Sequence, residues 1–405
     1  MDVFVARQPI FDRKLNVYAY ELLYRFGAEA KAYVYPDGDR ATAEVIADTL
    51  LLIGLGTLTG GKKAFINFTE NLLKSDIANI LPKDFVAIEI LENVEPDDEV
   101  MLACRKLKQS GYTLVLDDFV PDAKHQPFID IADIIKIDFK TAAARDHDKL
   151  AGWLEGRNIK LLAEKVETRS AFEQARELGY SYFQGYFFSK PVIISSRDVP
   201  AYKINYLRII QEVNRPDFDF GRLESIFRRD VSLSYKLLHY INSAAFGFRN
   251  KINSIKHALV MLGITEIKKW ISLVALRGIA ADKPDEIISS SLIRARFGEL
   301  IAPLTGLKEK SSDLFLMGMF AMIDALIGRP MAECLVELPI ADEIKSALLG
   351  QPSAYREVLG LILAYEKGDW DGFSKYAAAL GLSEAEIPRL YLESLNWANQ
   401  LMQQE

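Results

Sequence analysis

Short β-rich runs alternate with amphipathic segments through the first half of this chain, and that alternation limits the folds open to it. The runs are 17–26, 64–67, 85–91, 114–119, 134–137, 160–166 and 182–187, and the segments 42–53, 97–110 and 170–178 between them have helical periodicity. Strands that alternate with helices build βα units around a largely parallel sheet. Polar and acidic residues fall at the C-terminal ends of the runs, where a TIM-like β/α barrel carries its chemistry. Near Pro191 the pattern changes. From Tyr202 onward helical periodicity dominates (202–212, 220–228, 232–242, 254–262, 266–275), punctuated by Pro200, Pro216 and Pro303. The expected organisation is an α/β barrel over 1–196 and an all-α domain over 197–405.

Composition narrows the function classes. Half of the 405 residues are hydrophobic and 26% are charged, which excludes broad disorder. A net charge of −7 disfavours a protein that coats nucleic acid. Cys104 and Cys334 are too few and too far apart for a disulfide scaffold or a thiolate metal cluster, and read as buried free thiols. The opening MDVFVARQPIFDRK has no signal-peptide pattern, and the apolar stretches 50–58 and 314–327 are too short or interrupted to span a bilayer. The expectation is a cytoplasmic protein without membrane insertion.

Five polar features interrupt the apolar runs. They are Glu21 in YELLYR with Arg25 four residues on; Asn67 closing AFIN; Glu89 in VAIEILE with Glu92 beyond; Asp117–Asp118 after LVL; and the series Lys136, Asp138, Glu164, Glu167 and Gln184. A charge inside a buried strand is costly unless paired or bound to a metal. On neighbouring parallel strands Glu21, Asn67, Glu89, Asp117 and Glu164 can converge at one mouth. Hard oxygen donors of this kind suit Mg²⁺ or Mn²⁺. Two such ions could clamp a phosphodiester, with Lys136 stabilising phosphoryl charge. Simpler readings stand beside these: Glu21–Arg25 as an ion pair, Asp138 as a helix cap, and Glu92 and Glu167 facing solvent.

The ordered pieces YELLYR, FIN, IEILE, DDF, IKID, AEKVE and QGYFFSKP resemble the EAL family of cyclic di-GMP phosphodiesterases over nearly all of 1–192. The resemblance implies an EAL-type barrel that opens cyclic di-GMP to linear pGpG. It implies metal ligation by Glu21, Asn67, Glu89 and Asp117, with Asp118 sharing or bridging the metals and Glu167 completing the pocket. Lys136 and Glu164 would be the catalytic pair that handles the attacking water, and Arg25 and Gln184 would bind substrate.

Departures from the family pattern point elsewhere. Leu22 stands where alanine is usual, and Lys165 replaces the glycine between Glu164 and Val166. After Asp118 the chain reads DDFVPDAKHQPF where the family has DDFGTGYSSL. That loop helps order the metals and contributes to dimerisation in the family, so a homodimer is one assembly the resemblance allows. A rewritten supporting loop loosens catalytic geometry. The expectation drawn from it is a regulatory barrel with weak or no hydrolysis, binding Mg²⁺ or Mn²⁺ only if the site is competent. The alternative is an active metal-dependent phosphodiesterase.

In the second half, DVSLSYKLLHYINSAAFGFRNKINSIKHALVMLG places an apolar stripe (Leu233, Leu237, Leu238, Ile241) before a turn at Gly247. A second helix carries Ile255, Ala258, Leu259 and Leu262, with Gly263 as its C-cap. NSAAFG and SIKHALVMLG resemble the HDOD module, related in fold to HD phosphohydrolases. His239 and His257 are the histidines here, and no aspartate follows either, so the usual dinuclear HD site cannot be built. The resemblance implies a module that binds a signalling protein. The segment 387–402 is an amphipathic final helix expected to pack on this bundle.

Overall fold

The structure, a computed structural model, describes residues 3–26, 54–119, 125–140, 157–186, 210, 212–215, 218–229, 237–238, 240–242, 252, 254–279, 283–338 and 340–403. They divide into two compact units, Met1–Lys190 with Gly360–Glu405, and Pro191–Leu359.

The first unit is a closed eight-stranded barrel in sequential order, β1 Val3–Asp12, β2 Val17–Phe26, β3 Lys63–Phe68, β4 Val86–Ile90, β5 Thr113–Leu116, β6 Ile134–Asp138, β7 Lys160–Glu164 and β8 Tyr182–Gln184. Strands β2 to β8 run parallel; β1 is antiparallel to both neighbours and closes the ring between them. The reversal into β2 is short because Asp12 organises it: its carboxylate accepts from the backbone N–H groups of Lys14 (2.8 Å) and Asn16 (2.9 Å).

The barrel interior is layered. Ile10, Ala19, Phe65, Ala87, Val115, Ile134, Leu162 and Tyr182, one from each strand, form a buried apolar plug. Alternate residues of a strand share a face, so two positions nearer the mouth the ring points inward again. Outward-facing residues such as Ile66, Ile88, Leu114 and Ile135 are fully buried as well. Helices Asp98–Gln109 and Arg169–Glu177 bury Val100, Cys104, Leu107, Phe172 and Ala175. Each starts where a side chain caps it, Asp97 accepting from Val100 N (2.8 Å) and Thr168 from Ala171 N (3.1 Å).

The final helix, expected on the second-half bundle, packs instead within the barrel unit. Helix Ile387–Gln403 lies against β1 and against helix Leu55–Thr59, where Asn399 donates to the Thr57 carbonyl at 2.8 Å. Helix Trp370–Ala379 adds an aromatic cluster: Phe4 of β1 meets Trp370 and Phe373 edge-on at 6.1 and 5.7 Å, and Tyr365 meets Phe373 at 5.4 Å. Amphipathicity announced that this helix needs a partner surface; it carries no information about which surface.

Among the described residues of the second unit every regular element is a helix. Leu223, Leu237, Ile241, Ala258, Leu259, Ile267 and Trp270 share one core. Asn242 clasps the chain across a turn, donating to the Ile252 carbonyl (2.7 Å) and accepting from Ile252 N (2.8 Å). Gly263 breaks the helical path of Ile255–Ile279 with φ 74, ψ 162, at the position expected for a C-cap. His257 is exposed, and His239 lies outside the described residues. Among the described residues no helix is long and apolar enough to cross a membrane.

Phe373 is fully buried between Phe4, Tyr365 and Trp370. Phe373→Ala is expected to cost about 3–5 kcal/mol of stability, read as a fall in the urea midpoint by near-ultraviolet circular dichroism.

Candidate functional site

Two residues above the apolar plug, every strand contributes a polar side chain. In strand order these are Gln8, Glu21, Asn67, Glu89, Asp117, Lys136, Glu164 and Gln184. Asp117 lies one residue past β5 but keeps its ladder, its N–H bonding the Ile90 carbonyl at 2.9 Å. The register thus brings together at the C-terminal mouth the residues singled out from separate sequence runs.

Lys136, 1% exposed, stands among four carboxylates. Its Nζ lies 2.8 Å from Asp117 Oδ1, 2.8 Å from Glu164 Oε1 and 3.5 Å from Glu21 Oε2, and is also hydrogen-bonded to Glu89. Gln184 donates to Glu21 Oε2 (2.7 Å) and Gln8 Oε1 (3.3 Å), and Asn67 donates to Glu21 Oε1 (3.4 Å). One ammonium cannot balance four buried carboxylates, and proton affinities shift accordingly. Burial pushes the Glu89 carboxyl well up and that of Glu164 to about 8, with Lys136 opposing both. For Lys136 burial acts downward, but the surrounding acids outweigh it and hold the ammonium firmly protonated. Burial also opposes ionisation of Asp117; attraction and hydrogen bonding to Lys136 prevail and its pKa is lowered.

The residual valences describe what the ring can accept. Buried Asn67 Oδ1, Glu89 Oε2, Asp118 Oδ1 and Gln184 Oε1 have no hydrogen-bond partner. Orphaned acceptors beside excess negative charge fit a hard divalent cation. Among the described residues no three acidic, histidine or cysteine side chains stand at metal-binding spacing; here the carboxylates gather on the Lys136 ammonium instead. The donor set fits such an ion in kind, with the side chains closed on the lysine.

Three backbone positions with positive φ shape the rim. Gly185 has φ 141, and a Cβ there would lie 2.2 Å from the Val166 carbonyl oxygen, so only glycine lets the chain leave β8 at this point. Asp118 (φ 38) and Lys165 (φ 54) are in the left-handed region without being glycine. Lys165 pairs with Asp138 Oδ2 at 2.8 Å and Asp118 Oδ2 at 3.6 Å. Asp138 also accepts from Lys140 N (2.9 Å); the helix it is expected to cap would begin beyond Lys140, outside the described residues. Beside Asp117 and Asp118 a cavity of about 240 Å³ is lined by Ile90, Glu92, Val94, Leu116, Phe119 and His125 among others. Of the rewritten loop after Asp118, residues 120–124 lie outside the described residues.

Two expected site residues stand apart from the ring. Arg25, expected on a substrate phosphate, is on the same strand face as Glu21 but four residues further, beyond the rim. There the C-terminal segment holds it: it donates to Ser374 Oγ (3.0 Å) and the Trp370 carbonyl (3.4 Å) and pairs with Glu384 at 3.3 Å. It does not pair with Glu21 in the way the i, i+4 spacing suggested. Glu167, expected near the metals, is exposed on Lys140 at 3.3 Å, because the chain turns away past buried Val166. One ring member was missed. Gln8 faces Glu21 across the β1–β2 ladder; its signal is its place two residues before the inward-pointing Ile10 in RQPI.

Family models match this chain as an EAL domain over residues 2–191 and an HDOD domain over residues 199–338. The uncharacterized protein YuxH of Bacillus subtilis (strain 168) is 39% identical over 410 residues, covering 99% of each chain. Cyclic di-GMP phosphodiesterase CdgJ of Vibrio cholerae (El Tor Inaba N16961) is 35% identical over 403 residues, covering 98% of this chain and 93% of its own. A solved standalone EAL protein from Vibrio cholerae O395, in its c-di-GMP bound form, is similar at 22% identity and a TM-score of 0.38, over 47% of this chain and 92% of that one. The chain belongs to the family of bacterial proteins that join an EAL domain to an HDOD domain. The match to a phosphodiesterase along nearly the whole of both chains overturns the expectation of a regulatory barrel with weak or no hydrolysis. That expectation rested on the loop after Asp118, while the polar ring is complete.

The Glu164 carboxyl, at about 8 against an ordinary 4.5, sets a pH dependence. Above the ordinary value the unfolded chain has released a proton that the fold retains, so raising pH from about 5 to about 8 removes stability from the metal-free protein. In EDTA, the urea midpoint is expected to fall over this interval, and Glu164→Gln to flatten the slope.

Proposed function

We propose that this chain is an active phosphodiesterase that opens cyclic di-GMP to linear pGpG with Mg²⁺ or Mn²⁺. The observation that carries this reading is the ring of eight polar side chains at the barrel mouth, with four carboxylates around Lys136. The full-length similarity to a protein named as a cyclic di-GMP phosphodiesterase supports the choice of substrate.

In this reading Glu21, Asn67, Glu89 and Asp117 hold the cations, with Asp118 at the edge of the group. When bound there, divalent ions would supply positive charge for the phosphoryl oxygens and lower the pKa of an attacking water. Water adds across one P–O3′ bond: its oxygen joins phosphorus, and a proton reaches the released 3′-oxygen. Glu164 is the proton acceptor for that water, since burial raises its proton affinity toward the working pH. Lys136, held protonated by the surrounding acids, would direct its charge at the phosphoryl group. Gln184, bonded to both Gln8 and Glu21, orients the ring on the β1–β8 side. Glu167 and Arg25 have no direct role; Arg25 instead fastens β2 to the C-terminal helices.

Incubation with cyclic di-GMP and Mn²⁺ or Mg²⁺, followed by ion-exchange chromatography, is expected to yield pGpG. Glu21→Ala should slow its release by about 10²-fold or more, as loss of a ligand to a cation that holds transition-state charge does. Intact cyclic di-GMP after prolonged incubation with either metal would sink the reading.

A further inference from the structure

Lys165 is unusual among the residues of the mouth. It follows Glu164 directly, yet its backbone is left-handed (φ 54), a conformation that side-chain-bearing residues seldom adopt. The turn leaves Glu164 in the ring and sends Lys165 across the rim, where its ammonium reaches Asp138 Oδ2 at 2.8 Å and Asp118 Oδ2 at 3.6 Å. Asp118 is itself left-handed (φ 38), and its other oxygen, Oδ1, is buried without a hydrogen-bond partner. The Asp118 carboxylate is therefore divided. One oxygen is held by an internal cation, and the other is unused beside Asp117.

An ammonium and a divalent ion compete for such a carboxylate in two ways. The ammonium occupies lone pairs that the ion would use, and its charge repels the ion across a few ångströms. Lys136 is the ring's central cation; Lys165 is a second one at the edge, facing Asp118, Asp138 and Glu164.

We propose that Lys165 is a positioning residue that holds Asp118 by an ion pair in competition with a divalent cation at the Asp117–Asp118 edge, so that one cation binds more weakly than the rest of the ring would allow. This rests on the metal-dependent reading above. Because the pair is half exposed, the competition is modest and screened by salt.

The test is calorimetric titration of the full chain with Mn²⁺ alone, without nucleotide. Lys165→Asn removes the charge while tolerating the left-handed backbone, and Lys165→Arg keeps the charge. Lys165→Asn is expected to bind its weaker Mn²⁺ about five-fold more tightly, with the gap from the unmodified chain shrinking as KCl is raised. Lys165→Arg should match the unmodified chain. Unchanged or weaker Mn²⁺ binding in Lys165→Asn overturns the inference, and so does equal tightening in Lys165→Arg, which would assign the effect to backbone shape. If no form binds Mn²⁺, the metal-dependent reading falls with it; if the unmodified chain binds Mn²⁺ and releases pGpG while Lys165→Asn binds it equally, only the inference about Lys165 falls.

Discussion

The buried ammonium of Lys136 is the interaction on which the barrel mouth depends. Four carboxylates from four strands point at one place, and without a positive charge there the ring would be a cluster of mutually repelling, desolvated acids. With it the cluster is only partly neutralised, so protons accumulate on Glu89 and Glu164 and oxygens remain without partners. Stability and chemistry therefore pull on the same atoms. In the proposed function that excess of negative charge is what would draw divalent cations to the mouth.

The apolar layer beneath makes this arrangement possible. The plug of Ile10, Phe65, Val115, Tyr182 and their neighbours keeps water out from below, so the ring faces a dry floor and an open mouth. Tyr18 stacks on Tyr182 at 4.1 Å at the same level and helps close the floor. On the β1–β2 side the rim is stiffened from above, where Arg25 ties β2 to Ser374, Trp370 and Glu384, and Gln8 donates to the Lys367 carbonyl at 3.1 Å. Gln8 thus touches both the ring, through Gln184, and the C-terminal helices. Arg25, which the sequence marks as a candidate substrate contact, here also joins two parts of one compact unit.

Much of the site was legible because strand periodicity is local. Polar residues that end apolar runs, such as Asn67 in AFIN and Lys136 in IIKID, declare themselves against their neighbours, and a barrel offers one place for all of them. The positions that local pattern did not place share a cause. Arg25 and Glu167 lie near strand ends, where a step of a few residues past the rim changes a side chain's surroundings entirely. Gln8 sits on the one antiparallel strand, where inward positions count in the opposite direction. The loop after Asp118 looked decisive because it differs so much from the family pattern, but a loop's sequence says little about the ring it borders.

By itself the sequence determined the class of fold, seven of the eight strands (the first, Val3–Asp12, is not among the expected runs), the identity of seven of the eight ring residues and the helical character of the second half, since each follows from patterns within ten or twenty residues. Only the tertiary structure decided what those residues meet. It set the four acids on one lysine, the C-terminal helices against β1 and β2, and Lys165 between Asp118 and Asp138. Those pairings join positions far apart in the chain, and their geometry depends on barrel register and on two left-handed backbone turns that no local pattern specifies.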